Sequence, residues 1–480
     1  MLIPPQWSDT SSEPIYIRIY RFYKENILTG SLSPNSKLPS IRALAQHLGI
    51  SRNPVETAYG HLVAEGYIVN KAKSGYYSAY IEQLTTGNGK LTRSLPITPP
   101  VRHVTPAVDI DFSHDKMSTE HFPLPLWKKM TLNILRSTDL NLFNYGDNKG
   151  EPKLRSLIIE YLRQNRGVVC EPGQVIITSG TQQSVYILSS LLRNKEGAIG
   201  VEAAMHPGIY HMFKQLLTPV HLPLDRDGLS CSETTSWDTI PLKSIYVTPS
   251  HQFPYGMVLP AAKRTQLLNW AINTDGYIIE DDYDSEFLYE GSPLPALQGM
   301  DNNGRVIYLG TFSKALAPAI RLSYLILPQT LLEDFEREYV HYDQTASRLT
   351  QKTMELFMEQ GHLGRHVRRM RKLYREKRDQ LIRAIQASFG NNANVLGSAS
   401  GLHLILEIHS NYSTERLVQL AESQGIRVYP VSYYHVAGQH VFTTASETTA
   451  ASHFVLGYGG LTAEQITLGV EKLAEVWLES

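Results

Sequence analysis

YLGTFSKALAPAIRLSYLILP, residues 308–328, sets two apolar runs on either side of a loop that holds one lysine, Lys314, and one arginine, Arg321. Runs this short and this uniformly apolar read as strands buried on both faces. Upstream the same grammar recurs: QVIITSG leads into TQQSVYILSSLL, AIGVEA precedes PGIYHMFKQLL, and SIYVTPS precedes AAKRTQLLNWAI and then YIIEDDYD. Short apolar strands alternating with amphipathic helices predict an α/β unit with a mostly parallel sheet covered on both faces. Ligands of such sheets bind at the C-terminal strand ends, and the unusual residues collect there.

Those ends offer what a phosphorylated pyridine aldehyde needs. A lysine amine forms a Schiff base, and Lys314 follows a strand. A carboxylate must keep the pyridine nitrogen protonated; Asp281 and Asp282 both stand at a strand end, with Tyr283 next to them for the ring hydroxyl. A phosphate needs N–H donors at a helix start, hydroxyls and a cation. Gly180, Thr181 and Gln182 open a helix, while Thr311, Ser313 and Arg321 flank the lysine. Taken singly, such features are commonly a solvated lysine, a polar loop and a capped helix. Their order and spacing together carry the reading.

The chain opens differently. Apolar residues at helical spacing predict a helix over Ile15 to Leu28, stopped by Gly30. Ser40 is placed to cap a helix over Ile41 to Leu48, Gly49 supplies a turn, and Ser51 is placed to cap a second helix with Pro54 in its first turn. Arg52 and Asn53 then lead a helix of the kind that reads a major groove. After Gly66, YIVNKAKSGYYSAYI alternates like a hairpin with Lys71, Lys73 and Gly75 at its tip, a basic wing. Charge agrees. The first 80 residues hold eight Lys/Arg against five Asp/Glu, and the remainder 37 against 41, so only the N-terminal segment leans toward a polyanion.

The 480 residues suggest two to four domains, and 42% hydrophobic against 19% charged residues suits a globular chain with a sizeable core. Two cysteines, Cys170 and Cys231, in unrelated contexts argue against a disulfide framework or a cysteine zinc site, and no metal is expected. With neither a signal peptide pattern nor a membrane-length apolar run, the expected location is the cytoplasm. Residues 81–108, rich in Thr, Gly and Pro, read as a linker between an N-terminal domain over 1–80 and a second domain over 109–480, its large part about 150–345 and its small part about 346–480.

The N-terminal stretch resembles the winged helix-turn-helix of GntR-type regulators. The blocks YGDNKGEPKLRSLIIEYLRQNRGVVCEPGQVIITSGTQQSVYIL, IIEDDYDSEF, YLGTFSKALAPAIRLSYLILP and HVRRMRKLYREKRDQL resemble fold-type I aminotransferases, specifically the MocR/GabR group in which such a domain follows the winged helix. The resemblance implies a dimeric regulator of promoter DNA that uses pyridoxal 5'-phosphate. It implies DNA contacts from Ser40, Arg42, Ser51, Arg52, Asn53 and Thr57, with Lys71 and Lys73 on phosphates. Lys314 would be the aldimine lysine and Asp281, two residues before Tyr283, the partner of the pyridine nitrogen. Thr181, Gln182, Thr311, Ser313 and Arg321 would take the phosphate, and Tyr145 would reach the phosphate of the opposite subunit in a head-to-tail homodimer.

Three departures matter. His206 falls where relatives place an aromatic residue near the effector pocket, and Phe253 replaces an asparagine, leaving His251 or Gln252 to supply a polar contact. Where aminotransferases carry the arginine that clamps an α-carboxylate, this chain has Val455. The aldimine is therefore expected to sense pyridoxal phosphate or an amino compound rather than to turn it over. The alternative is an aminotransferase with an appended DNA-binding module. The basic run from Arg365 to Arg378 is expected to be an interface or a solvated helix, not a second DNA patch.

Overall fold

The computed structural model describes residues 13–81, 108–136, 140–231, 240–291, 294–436 and 451–478. They fall into two compact units, one within Met1–His103 and one within Val104–Ser480. Apart from its two end residues, the expected linker lies outside the described residues.

In the first unit, α1 (Ile15–Leu28), α2 (Ile41–Leu48) and α3 (Arg52–Ala64) precede a hairpin of β1 (Ile68–Lys71) and β2 (Gly75–Ser78). The apolar stripes converge on one core of Ile19, Tyr23, Ile27, Leu44, Val55, Tyr59, Leu62 and Ile68. Each such aliphatic side chain contributes about 1.5–3 kcal/mol on burial, so the periodicity alone is enough to assemble three helices. Gly49 takes the left-handed conformation that lets α2 stop and α3 turn away. Lys37 bridges to Tyr77, tying the wing to the segment before α2.

The second unit is built on a seven-stranded sheet, counted among the described residues, of β3 (Val175–Thr178), β4 (Ala198–Glu202), β5 (Pro219–Leu222), β6 (Leu242–Val247), β7 (Tyr277–Asp282), β8 (Val306–Thr311) and β9 (Ser323–Ile326), in the order β3-β9-β8-β7-β6-β4-β5. Only β9 runs antiparallel to its neighbours. Helix α4 (Pro152–Arg166) precedes β3. Then α5 (Thr181–Leu192) and α6 (Pro207–Leu216) pack against one face through Val185, Leu188 and Phe213, which meet Val201, Ile279 and Leu309. On the other face α7 (Ala261–Asn273) brings Leu267 and Trp270 onto Ile245, Ile278 and Val306. Neighbouring β7 residues thus serve opposite cores, as a period of two demands.

The smaller part has β10 (Ala393–Leu396), β11 (His403–His409), β12 (Tyr429–Pro430) and β13 (Ala451–Gly457) in the antiparallel order β10-β11-β13-β12. Its core includes Phe112 from the start of the unit and Met370, Tyr374 and Leu381 from the long helix α9 (His362–Phe389). Met354 and Phe357 of α8 (Arg348–Glu359), with Leu363 and Val367, pack into the larger part. The two cores therefore change over inside α9, and residues 110–112 return to the smaller part.

Candidate functional site

The C-terminal ends of β7, β8 and β6 open onto a cavity of about 340 Å³. Its lining includes Lys314, Asp281, Tyr283, Thr181, Gln182, Thr311, Ser313, Arg321 and His206, nine of the ten sequence candidates. Tyr145 is not among them and is 85% exposed on its own chain.

Two adjacent aspartates are sorted by the pleat. Asp281 shares a face with Ile279, and Ile279 pairs with Tyr246 on β6. The Tyr246 hydroxyl therefore donates to Asp281 Oδ2 at 2.6 Å. Burial pushes the Asp281 carboxyl up to about 7, against the Tyr246 bond, with Asp282 and Asp284 adding to the rise. Asp282 points the other way, where its Oδ2 accepts from Arg166 Nε at 2.7 Å and from the Tyr308 hydroxyl at 2.5 Å. It is a structural ion pair, only 1% exposed at its side chain.

Lys314 follows β8. Its Nζ donates to the His114 carbonyl oxygen at 2.8 Å and lies 3.8 Å from Asp115 Oδ1. Burial holds the amine below its ordinary value, with Asp115 and Asp284 opposing. At the far side Ser323, paired with Thr311 across β9 and β8, donates its hydroxyl to Thr311 Oγ1 (2.8 Å), which donates to Ser313 Oγ (3.0 Å). The relay leaves the Ser313 proton free for an acceptor in the cavity. Arg321 has φ +51°, a left-handed backbone, after the turn Pro318–Ile320. That conformation costs a non-glycine residue roughly 1–3 kcal/mol, and it aims the guanidinium over Gly180. A Cβ on Gly180 would lie 2.2 Å from Arg321 Nη2, and Gly180 itself has φ +113°. Only glycine lets the cation sit beside the N-terminus of α5, whose Thr181 and Gln182 N–H groups precede the first intrahelical bonds.

The Tyr283 hydroxyl lies 3.0 Å from His251 Nδ1 and 3.1 Å from the His251 carbonyl oxygen. His251 Nδ1 is also 2.9 Å from Asp284 Oδ2, so His251 reaches the cavity only through the Tyr283 hydroxyl and does not line it. Neither does Gln252: its side chain bonds Ala204 O, Phe253 O and Tyr255 N, away from the cavity. His206 caps α6, its Nδ1 accepting from Gly208 N at 3.1 Å, while its ring lines the cavity and is held by burial below the usual imidazole range. Val455 is fully buried with Phe253, Ile405 and Tyr434, an apolar wall.

Sequence reasoning missed His114, Asp115 and Tyr246. Tyr246 sits one strand away on the face of Asp281, a relation that β-pairing could have suggested. His114 and Asp115 follow the two-residue strand Ile110–Asp111, too short to register as an element. Ligand atoms of His114, Asp115 and His206 fall within 4.8 Å of one another. The Lys314 ammonium beside them already supplies the positive charge a cation would bring.

In the N-terminal unit Arg42, Ser51, Arg52, Asn53, Lys71 and Lys73 are exposed. The Ser40 hydroxyl accepts from Ala43 N at 3.1 Å and caps α2. Ser51 occupies the cap position of α3 but makes no cap bond, contrary to expectation. Thr57, half-buried, returns its hydroxyl to Asn53 O. Lys71 Nζ lies 4.5 Å from the Tyr77 ring centroid. Much of the basic run on α9 is spent internally: Arg369, Arg371 and Arg375 donate to the carbonyls of His121, Glu286 and Tyr289, and buried Lys377 donates to Ser118 Oγ and Gly459 O, while Arg368 and Lys372 are exposed.

A buried carboxylate, a half-desolvated lysine, and an arginine over a helix N-terminus fit the ring nitrogen, aldehyde and phosphate of pyridoxal phosphate, and the space reserved by Gly180 is the observation that tests the fit. Comparison with known proteins agrees. The family "Aminotransferase class I and II" matches residues 108–453, and "Bacterial regulatory proteins, gntR family" matches residues 15–77. The HTH-type transcriptional regulator YdeL of Bacillus subtilis (strain 168) is 37% identical, covering 99% of this chain and 100% of that protein. The rhizopine catabolism regulatory protein MocR of Rhizobium meliloti is 31% identical over 97% of this chain and 94% of its own length. Among solved structures, the multiple substrate aminotransferase of Thermococcus profundus superposes with a TM-score of 0.69 at 25% identity, covering 78% of this chain and 92% of that one. With its sheet unit matching aminotransferases and nearly its whole length matching DNA-binding regulators, the chain belongs to the MocR/GabR group of GntR-type transcriptional regulators and binds pyridoxal phosphate.

Proposed function

We propose that this protein binds promoter DNA in the cytoplasm as a head-to-tail homodimer and carries pyridoxal phosphate covalently at Lys314. Occupancy of the cavity, by the cofactor or by an amino compound that joins it, would then set transcription of genes of vitamin B6 or of amino-acid and amine metabolism. The observation that supports this most is one cavity lined by Lys314, Asp281 and Arg321 in a chain that begins with a winged helix.

When bound, the cofactor supplies an aldehyde that captures amines and a ring that withdraws electrons. The chain's residues would do the rest. Burial lowers the cost of deprotonating the Lys314 amine, the form that attacks an aldehyde. Asp281 would hold a proton on the ring nitrogen while Tyr246 fixes its carboxylate. Tyr283 would meet the ring hydroxyl, His206 would flank the ring, and Ser313, Thr311, Arg321 and the N–H groups of Thr181 and Gln182 would hold the phosphate. Tyr145 would reach the cofactor phosphate of the partner subunit. On DNA, Ser40, Arg42, Ser51, Arg52, Asn53 and Thr57 would meet the major groove, with Lys71 and Lys73 on phosphates.

Purified full-length protein is expected to show the visible absorbance band of a lysine-bound cofactor, lost in Lys314→Ala. A band unchanged in that variant would refute the attachment site. Arg52→Ala is expected to weaken a salt-sensitive complex with the chain's own promoter region by about 1–3 kcal/mol, and unchanged affinity would count against α3 as the recognition helix. Steady-state turnover of an amino acid with a keto acid at ordinary enzyme rates would favour the aminotransferase alternative.

A further inference from the structure

The cofactor's groups account for one side of the cavity; the side beyond Lys314 has its own chemistry. There the Lys314 amine is served by two acceptors, the His114 carbonyl oxygen at 2.8 Å and Asp115 Oδ1 at 3.8 Å. His114 Nε2 lies 3.2 Å from the same carboxylate oxygen, and its Nδ1 faces the Tyr434 hydroxyl at 3.2 Å. Burial, with Lys314, His403 and His206 adding, holds His114 far below the usual imidazole range, so its ring is neutral. The formal charge of this wall is therefore negative. Around it the lining is apolar: Met205, Ile209, Phe253 and Pro318, with the Phe253 ring centroid 4.8 Å from that of His114. Of the two basic side chains on the cavity, Lys314 is the one that the cofactor would take, and Arg321 stands over Gly180, where it would hold the phosphate. No other Lys or Arg lines the cavity among the described residues.

We infer that the second ligand of this cavity is a primary amine with an apolar body and no carboxylate on the carbon that bears the amine. The inference rests on the cofactor reading given above. With Lys314 joined to the cofactor, an incoming ammonium would find the Asp115 carboxylate and the His114 carbonyl oxygen released to accept its N–H groups, and its body would meet Met205 and Phe253. An α-carboxylate in the same place meets Asp115 with no guanidinium to pair with. Asp115 is 64% exposed at its side chain, so water screens part of the repulsion. What remains is a preference of about two- to fivefold.

Phenethylamine and L-phenylalanine share a ring and an amine and differ in the carboxylate, which makes them the probes. Each is titrated into the full-length, cofactor-loaded protein, with the visible absorbance, the affinity for its own promoter region and cofactor retention on gel filtration as readouts. Phenethylamine is expected to give a saturable response at a concentration about two- to fivefold lower than phenylalanine. In Asp115→Asn the two affinities are expected to become equal; their ratio is the readout, so a general weakening does not mask it. Equal affinities in the unaltered protein, tighter phenylalanine, or no response to either while the cofactor band is present overturns the inference. An unchanged ratio in Asp115→Asn removes Asp115 from it. Absence of the band itself is a different result and strikes the cofactor reading instead.

Discussion

Gly180 and Arg321 are a matched pair of backbone exceptions, each with positive φ, and the space between them is what one methyl group would fill. Gly180→Ala strains its own backbone and displaces the Arg321 guanidinium, so cofactor affinity is expected to fall at least tenfold in an equilibrium titration, while far-ultraviolet circular dichroism is retained. Arg321→Ala should weaken binding comparably, and the double variant should cost no more than the worse single one, as residues sharing one function do. Asp281 gives the pH dependence. In the cofactor-free chain burial raises its carboxyl to about 7, so below that pH the group is protonated and cannot pair with a protonated pyridine. Cofactor affinity should therefore rise from pH 6 to pH 8 by up to about tenfold per unit while Asp281 titrates, and Lys314, which must lose a proton, adds in the same direction. Asp281→Asn should remove the Asp281 share of that slope. The stability sign is opposite. A carboxyl with a raised folded value favours the fold below its ordinary range and loses that contribution as pH climbs to about 7, so cofactor-free Asp281→Asn should equal or exceed the unaltered chain in stability at pH 8.

At the scale of elements, β7 shows why a strand is readable when its site is not. YIIEDD has the apolar start and length of a buried strand, and six of the seven strands described in its sheet are legible, because a parallel sheet covered on both faces writes itself as short apolar runs; the edge strand β5, with one buried residue, is not. Which aspartate faces the cavity depends on the pleat and on the neighbour in β6, and only the tyrosine two residues after Asp281 hinted at the choice. The structure adds a consequence. Asp282 belongs to the opposite face and neutralises Arg166, so Asp282→Asn is expected to destabilise the larger unit by about 3–5 kcal/mol, the usual result of leaving one buried charge alone. Thermal unfolding with and without cofactor separates it from Asp281→Asn, which should leave stability intact and lose the cofactor effect. The basic run on α9 was ambiguous for a related reason: eight cations on a helix look alike in sequence, and only the carbonyls of the segments around Glu286 and Tyr289 reveal that Arg371 and Arg375 bind the protein itself while Arg368 and Lys372 face outward. His114 and Asp115 were silent because a two-residue strand leaves no periodicity to detect.

The molecule as a whole has separate cores. Ile19, Tyr59 and Leu62 close one within the first eighty residues, and the sheet unit closes its own without them. A ligand that binds only the folded sheet unit stabilises that unit, by about 2.7 kcal/mol at a hundredfold excess over its dissociation constant. Calorimetry of the full-length protein should thus show two transitions, of which cofactor raises only the one that Asp282→Asn lowers. The transition of the N-terminal unit should stay in place unless promoter DNA is added. In the proposed dimer, regulation would then act on how the two copies of that fold are presented to their half-sites, and any such coupling is reciprocal, with DNA changing ligand affinity by the factor by which ligand changes DNA affinity. A cofactor-dependent shift of the N-terminal transition in the absence of DNA would show that the units share a packed interface and would replace this account with direct contact between them.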